Sequence, residues 1–140
     1  MTSKVQVSVA ERNGRKLAST GSKWEPVVGY SRAVRVGPFI AVTGTVGINP
    51  DGTYPPGLEA QTRRALEIIG AALEALGAEL RDVVRTRLFV TDISRWEEVG
   101  KVHGEVFRDV RPATTMVEVS RLIDGAALIE IEADAIIPGP

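Results

Sequence analysis

The chain has no cysteine, which excludes disulfides, thiolate metal sites and thiol nucleophiles. A single histidine also rules out a metal site built from two or three imidazoles of one subunit, leaving carboxylate-rich sites as the main metal option. Aromatic residues make up only 5% of the sequence, and 17 basic against 18 acidic side chains give a net charge of −1. Such a chain has neither the field that attracts phosphate backbones nor a set of stacking platforms, which argues against a nucleic-acid partner. No apolar run approaches the ~20 residues that span a bilayer, and Met1-Thr2-Ser3-Lys4 does not lead into the roughly 7–15 residue apolar stretch of a signal peptide. These absences predict a cytoplasmic protein with no membrane partner. The lack of cysteine fits a reducing compartment.

What is present is a chain of 140 residues, 44% hydrophobic, with mean hydropathy near zero, which predicts one domain over 1–140 able to bury its own core. Val5, Val7 and Val9 alternate before Asn13-Gly14, a dipeptide that accepts positive φ at both centres of a type I′ turn, so a β-hairpin is expected near the N-terminus. Val34, Val36, Phe39, Ile40 and Val42, interrupted by Gly37-Pro38, predict a second pair of strands between Tyr30 and Val46. Loop chemistry follows from Asn49 to Gly57.

Leu58, Ala65, Leu66, Ile69, Ala72, Leu73 and Leu76 then recur mostly at helical steps, with Arg63, Arg64, Glu67 and Glu74 largely on the other side and Gly77 as the stop. Val83 to Thr91 is rich in β-formers. Ser94 and Glu97 have the spacing of a capping box, which predicts a second helix starting near Arg95. After Arg111-Pro112, two final strands are expected at Thr114–Ser120 and Ala127–Ile137, around Asp124-Gly125. The order of elements predicts an α+β fold: a mixed β-sheet with two helices packed on one face. In the last strand Ile129, Ile131, Ala133, Ala135 and Ile137 alternate with Leu128, Glu130, Glu132 and Asp134, giving a core side and a semi-polar side. Thr114, Met116 and Glu118 likewise share one face of the preceding strand. Met, Leu and carboxylates on sheet faces suit a subunit interface with pockets in it.

Several strings together resemble one family. Arg111-Pro112-Ala113-Thr114-Thr115-Met116-Val117-Glu118-Val119 and Leu128-Ile129-Glu130-Ile131-Glu132-Ala133 are similar to the C-terminal part of the reactive intermediate deaminase (Rid, or YjgF) family. Gly29-Tyr30-Ser31, Val42-Thr43-Gly44, Asp82 to Thr86 and Phe89 to Asp92 stand upstream in the family's order, so the resemblance covers about residues 28–137. It implies a chorismate-mutase-like α+β fold, a homotrimer, and small-molecule sites between subunits. Members hydrolyse enamine and imine intermediates such as 2-aminoacrylate to a 2-oxo acid and ammonia, without a cofactor. In them an arginine after the Pro-Ala pair forks onto the substrate carboxylate, and a glutamate opening the IEIEA string positions or activates water.

Here Thr114 stands where that arginine is expected, and Gly100 where many members place an asparagine. A guanidinium offers two charge-assisted hydrogen bonds at ~1.5–3 kcal/mol each, a hydroxyl one neutral bond at ~1 kcal/mol, so binding of a small imino acid is expected to weaken by roughly two orders of magnitude or more. The resemblance makes Glu130 the candidate water-positioning group; the plainer alternative is a solvated acid on an alternating strand. His103 shares helical spacing with Trp96, Val99, Val106 and Val110, between Gly100 and Gly104. It is a candidate acid, base or ligand donor, or an ordinary core histidine. Tyr30 and Thr43 match ligand-contacting positions of the family. Thr114, Met116, Glu118 and Gly100 are candidate substrate-binding residues. Arg111 is either a replacement for the missing arginine or a surface charge, and Trp24-Glu25 before Pro26 suggests a loop lid.

Three functions follow: a cofactor-free hydrolase or deaminase of a nitrogenous metabolite other than 2-aminoacrylate, a non-catalytic small-metabolite-binding trimer, and the ribonuclease or translation-inhibitor activity with which the family is sometimes labelled. The charge and aromatic content favour the last least.

Overall fold

The structure is a computed structural model that describes residues 4–139; Met1 to Ser3, part of the leader argument above, and Pro140 lie outside the described residues. Strands β1 (Ser8–Arg12) and β2 (Arg15–Ser19) form the N-terminal hairpin, and Asn13 and Gly14 have φ of 53° and 76°, as a type I′ turn requires. Pairing starts at Ser8, so Val5 and Val7 precede the ladder. Strands β3 (Ala33–Val36) and β4 (Phe39–Val46) pair across Gly37-Pro38. Between β2 and β3 the expected loop lid at Trp24-Glu25 is instead one turn of helix, α1 (Trp24–Val28). Pro26 is tolerated in a first turn, and Glu25 is buried with its carboxylate 3.8 Å from the Arg32 guanidinium.

Helix α2 (Leu58–Ala75) ends as predicted: Gly77 takes φ 86° and the next amide, Ala78 N–H, reaches back to Leu73 O at 2.9 Å. Arg64, expected on the outer side, is buried, its Nε–H reaching the Ile48 carbonyl at 3.1 Å and its Nη1 lying 3.5 Å from Glu67 Oε1. Strand β5 (Val83–Val90) leads into α3 (Trp96–Phe107). The predicted capping box is absent. Asp92, one turn earlier, accepts both Ser94 N–H (3.0 Å) and Ser94 Oγ–H (2.6 Å), and a 3-10 turn at Ile93–Arg95 intervenes before the helix. The buried positions of α3 are Val99, Val102 and Phe107, while Trp96, placed on the apolar stripe by its spacing, lies outside it at 55% exposure.

Strands β6 (Ala113–Glu118) and β7 (Ile129–Ile136) complete a seven-stranded sheet of order β1-β2-β3-β4-β7-β5-β6. Among the described residues only β5 and β6 pair in parallel, which is why α3 must connect them. β7 runs antiparallel between β4 and β5, so β6 and β7 do not pair, although they follow one another around Asp124-Gly125. The alternation of β7 is realised: Ile129, Ile131, Ala133 and Ala135 are buried under α2, and Glu130, Glu132 and Asp134 stand on the other face, partly exposed. α2 and α3 pack together on the first face, with α1 as a third, short helix. The second face carries Val36, Phe39 and Ile136, adjacent in register and each more than 40% exposed.

Candidate functional site

Register decides which candidate residues can meet. Thr114, Met116 and Glu118 pair with Thr86, Leu88 and Val90 of β5, all three buried on the helix-covered face. Glu130, Glu132 and Asp134 pair with Phe89, Arg87 and Arg85, on the open face. Thr114 and Glu130 therefore lie on opposite sides of one sheet, and a pocket containing both cannot be closed by a single chain.

On the open face, Glu130 is half-buried. Desolvation pushes its carboxyl above the usual value, the charge of Glu132 adds to the shift, and Arg32 opposes it. The carboxylate lies over Gly44, within the irregular stretch between Val42 and Thr45 where β4 slips its register against β7. That bulge is held from below: Arg32 donates from Nη1 to Gly44 O (3.0 Å) and Thr45 Oγ1 (3.3 Å), and from Nε to Thr20 Oγ1 (3.3 Å). Thr43 lies in the bulge with its N–H on Arg32 O at 3.0 Å. Tyr30 lies alongside the same arginine, its ring centroid 5.6 Å from the guanidinium carbon, and lines an open groove with Glu25, Lys23 and Leu17.

Tyr54, which feels the charge of Glu130, and Gln61, which ties the adjoining loops together, carry no sequence signal. Tyr54, in the loop after β4, has its phenol pushed up to about 12, first by burial, then by the charge and hydrogen bond of Asp124, and also by the charge of Glu130. Gln61, buried on α2, donates to Pro55 O (3.3 Å) and Ala126 O (3.1 Å) and accepts Leu128 N–H (2.9 Å), tying the loop that carries Tyr54 to the loop that feeds Glu130. Polar residues in a Pro/Gly-rich loop and one glutamine in an amphipathic helix look like solvated surface until the fold brings them together.

At the other edge, His103 Nε2 lies 2.9 Å from Thr86 Oγ1, which lies 2.8 Å from Thr114 Oγ1. Burial holds the imidazole below its ordinary pKa, and its ring packs on Phe107 with centroids 4.6 Å apart. Gly100 faces the Trp96 ring, whose nearest atom would be 3.8 Å from an added Cβ, and nothing lies within 4 Å of one at Gly104. Met116 packs against the core, and Glu118 accepts Ile93 N–H at 3.1 Å, which caps the 3-10 turn before α3. Arg111 donates from Nε to Arg108 O at 3.2 Å on its own turn. Among the described residues no group of three or more His, Asp or Glu is placed to hold a metal ion, and no helix is long and apolar enough to cross a membrane.

The chain matches the endoribonuclease L-PSP family model over residues 20–137. It is 41% identical over 113 residues to a RutC family protein of Pyrococcus abyssi, covering 79% of this chain and 88% of that one. It is 33% identical over 128 residues to the 2-iminobutanoate/2-iminopropanoate deaminase of Rattus norvegicus, covering 90% and 92%. Among solved structures, a YjgF/YER057c/UK114 family member from Mycobacterium tuberculosis superposes with a TM-score of 0.82 at 53% identity, covering 88% of this chain and 99% of that one. On sequence and fold alike, the chain belongs to the endoribonuclease L-PSP family, the YjgF/Rid/RutC group.

Proposed function

We propose that the protein is a cofactor-free hydrolase of an enamine, imine or related nitrogenous metabolite other than 2-aminoacrylate, acting in pockets shared between the copies of a homotrimer, with Glu130 positioning and activating water. The observation that carries this reading is the Glu130 carboxylate: half-buried, raised in pKa, laid over a glycine bulge and bordered by Arg32 and Tyr54. Imine hydrolysis adds water across C=N, one proton passing from oxygen to nitrogen to give a carbinolamine, which collapses to the oxo product as the hydroxyl proton passes to the leaving nitrogen and ammonia departs. A carboxyl whose pKa is raised can take each proton from oxygen and return it to nitrogen, ending each step in the form in which it began. The separation of Glu130 and Thr114 by the sheet, and the open face with Val36, Phe39 and Ile136 exposed, support a site completed by a second copy.

The relatives named as deaminases act on imino acids. In the Rid pattern an arginine holds the carboxylate of such substrates, and Thr114 replaces it here. The test is ammonia and oxo-acid release from enzymatically generated 2-aminoacrylate. Wild type is expected to give little acceleration and Thr114→Arg a gain, while Glu130→Gln in the Thr114→Arg background removes that gain. Strong wild-type turnover would mean that another group anchors the carboxylate. Inactivity of both proteins would favour the second reading, a non-catalytic metabolite-binding trimer, which the joint departure at Thr114 and Gly100 also supports.

A further inference from the structure

The hydrogen-bonded chain at the β5–β6 edge has a direction. Each threonine hydroxyl carries one proton, and neutral imidazole carries one N–H. Thr114 donates its proton to Pro112 O at 3.2 Å. With that proton spent on Pro112 O, the 2.8 Å contact between the two threonines uses the proton of Thr86, and the 2.9 Å contact between Thr86 and His103 uses a proton on Nε2. Thr86 has no exposed surface, so its hydroxyl cannot exchange these partners for water. The direction that keeps all three contacts reads His103 Nε2–H to Thr86 to Thr114 to Pro112 O; the reverse row, Thr114 to Thr86 to an unprotonated Nε2, loses the Pro112 bond, so the row favours one tautomer of the chain's single histidine.

What such a row presents at its outer end follows from the lone pairs left over. Thr114 Oγ1 accepts one bond and donates one, so one lone pair remains; the Pro112 carbonyl accepts one bond and also has one left. Thr114 is exposed, whereas Thr86 is sealed and His103 is half-buried. Two neighbouring acceptors repel a carboxylate, which is itself acceptor-only, and receive the N–H₂ of an uncharged amide.

We propose that His103, Thr86 and Thr114 form a specificity relay that reads an uncharged N–H-bearing group of the carboxamide class at the place where a Rid-type pocket takes a carboxylate. Thr114 makes the contact, and Thr86 and His103 are positioning residues that hold its proton inward. The proposal rests on the reading of this family pocket as the ligand site, and it deepens that reading by naming the group at one end of the ligand.

Imidazole ¹⁵N spectra of the uniformly labelled protein test the relay first, and one histidine gives one unambiguous pair of signals. A protonated, pyrrole-type Nε2 and an unprotonated Nδ1 are expected; the opposite tautomer overturns the proposal whatever the pocket does. Pyruvamide and pyruvate are then titrated as probes, followed by threonine methyl shifts. Pyruvamide is expected to bind about tenfold tighter or more, the equivalent of one lost hydrogen bond between buried partners. Thr86→Ser should keep that preference, the near-isosteric Thr86→Val should abolish it, and Thr114→Arg should invert it. Equal binding of the two probes, no saturable pyruvamide binding, or a preference that survives Thr86→Val overturns the relay. Should Thr86→Val not fold, the wild-type tautomer and the probe ratio still decide. Glu130→Gln in the Thr114→Arg background separates the two claims: turnover of 2-aminoacrylate that survives this change sinks the hydrolase reading, while the tautomer and the amide preference stand or fall independently.

Discussion

The carboxyl group of Glu130 occupies the space that a side chain at position 44 would need: a Cβ on Gly44 would stand 2.8 Å from both Cδ and Oε1 of Glu130. The clash is with the free end of a flexible side chain, so the fold can accept Gly44→Ala by swinging the carboxylate away. Gly47 is different, because a Cβ there would run into the Gln61 backbone carbonyl at the start of α2, which cannot move without shifting the helix. Gly44→Ala is expected to keep its melting temperature within a few degrees and lose about 10²-fold in turnover, the usual cost of displacing a catalytic group by ~1 Å. Gly47→Ala is expected to lose several kcal/mol of stability. Thermal melts beside turnover assays check both; equal stability losses would remove the distinction between a glycine kept for the site and one kept for packing.

The framework around these glycines was largely legible in the sequence. Alternation along β7 placed Glu130, Glu132 and Asp134 on one face, Asn13-Gly14 announced its hairpin, and Gly77 ended α2. Side-chain periodicity carries this information because burial imposes it directly on consecutive residues. What stayed hidden depends on contacts between distant segments. Gln61 and Ala126 are 65 residues apart, and Thr86 and Thr114 are 28 apart. Nothing local marks Thr86 as the middle of a relay, nor shows that β7 inserts between β4 and β5 and so puts Thr114 and Glu130 on opposite sides. The capping box failed for a local reason: Asp92 is a competing acceptor that takes both donors of Ser94.

The raised pKa of Glu130 has a stability consequence. Between the ordinary value of 4.5 and the raised one, the folded state binds more protons than the unfolded chain, so this residue makes stability fall as pH rises through that window. Its contribution is most favourable below 4.5. Glu130→Gln should remove the slope and leave a variant more stable than wild type near neutrality. Urea titrations at a series of pH values and one protein concentration measure it, since self-association would otherwise shift the midpoint. A wild-type slope unchanged in the variant would mean that Glu130 is not desolvated in solution.

His103 acts in the opposite sense. Burial lowers its pKa from 6.5, so below that value the unfolded chain takes up a proton that the folded protein resists. Stability from this residue is fully present above 6.5 and is lost as pH falls toward the lowered value. His103→Gln should flatten that acid-side loss without touching the slope assigned to Glu130. Within one chain the groups lie on opposite faces of the sheet, so any coupling between the two variants arises across a subunit boundary, and the shared pocket predicts a non-additive change. Strict additivity would show that the two groups do not meet there.

Arg32 couples the stability of the bulge to the chemistry of Glu130. It is buried to 7% exposure beside Glu25 at 6%, and its Nη1 supports the Gly44 carbonyl beneath the Glu130 carboxylate. Among the described residues Arg32→Met leaves the buried Glu25 carboxylate with Ser22 N–H and Thr20 Oγ1 as its donors, so a loss of about 3–5 kcal/mol is expected. Arg32→Met with Glu25→Gln should recover a large part of it, because the unpaired charge is gone. Activity should separate from stability in this pair. Both variants lose the cation that opposes the rise in the Glu130 pKa, so the acid limb of kcat/KM should move to higher pH in the double variant even where its stability is restored. A double variant with restored stability and an unmoved acid limb would show that Arg32 holds the bulge without tuning the carboxylate above it.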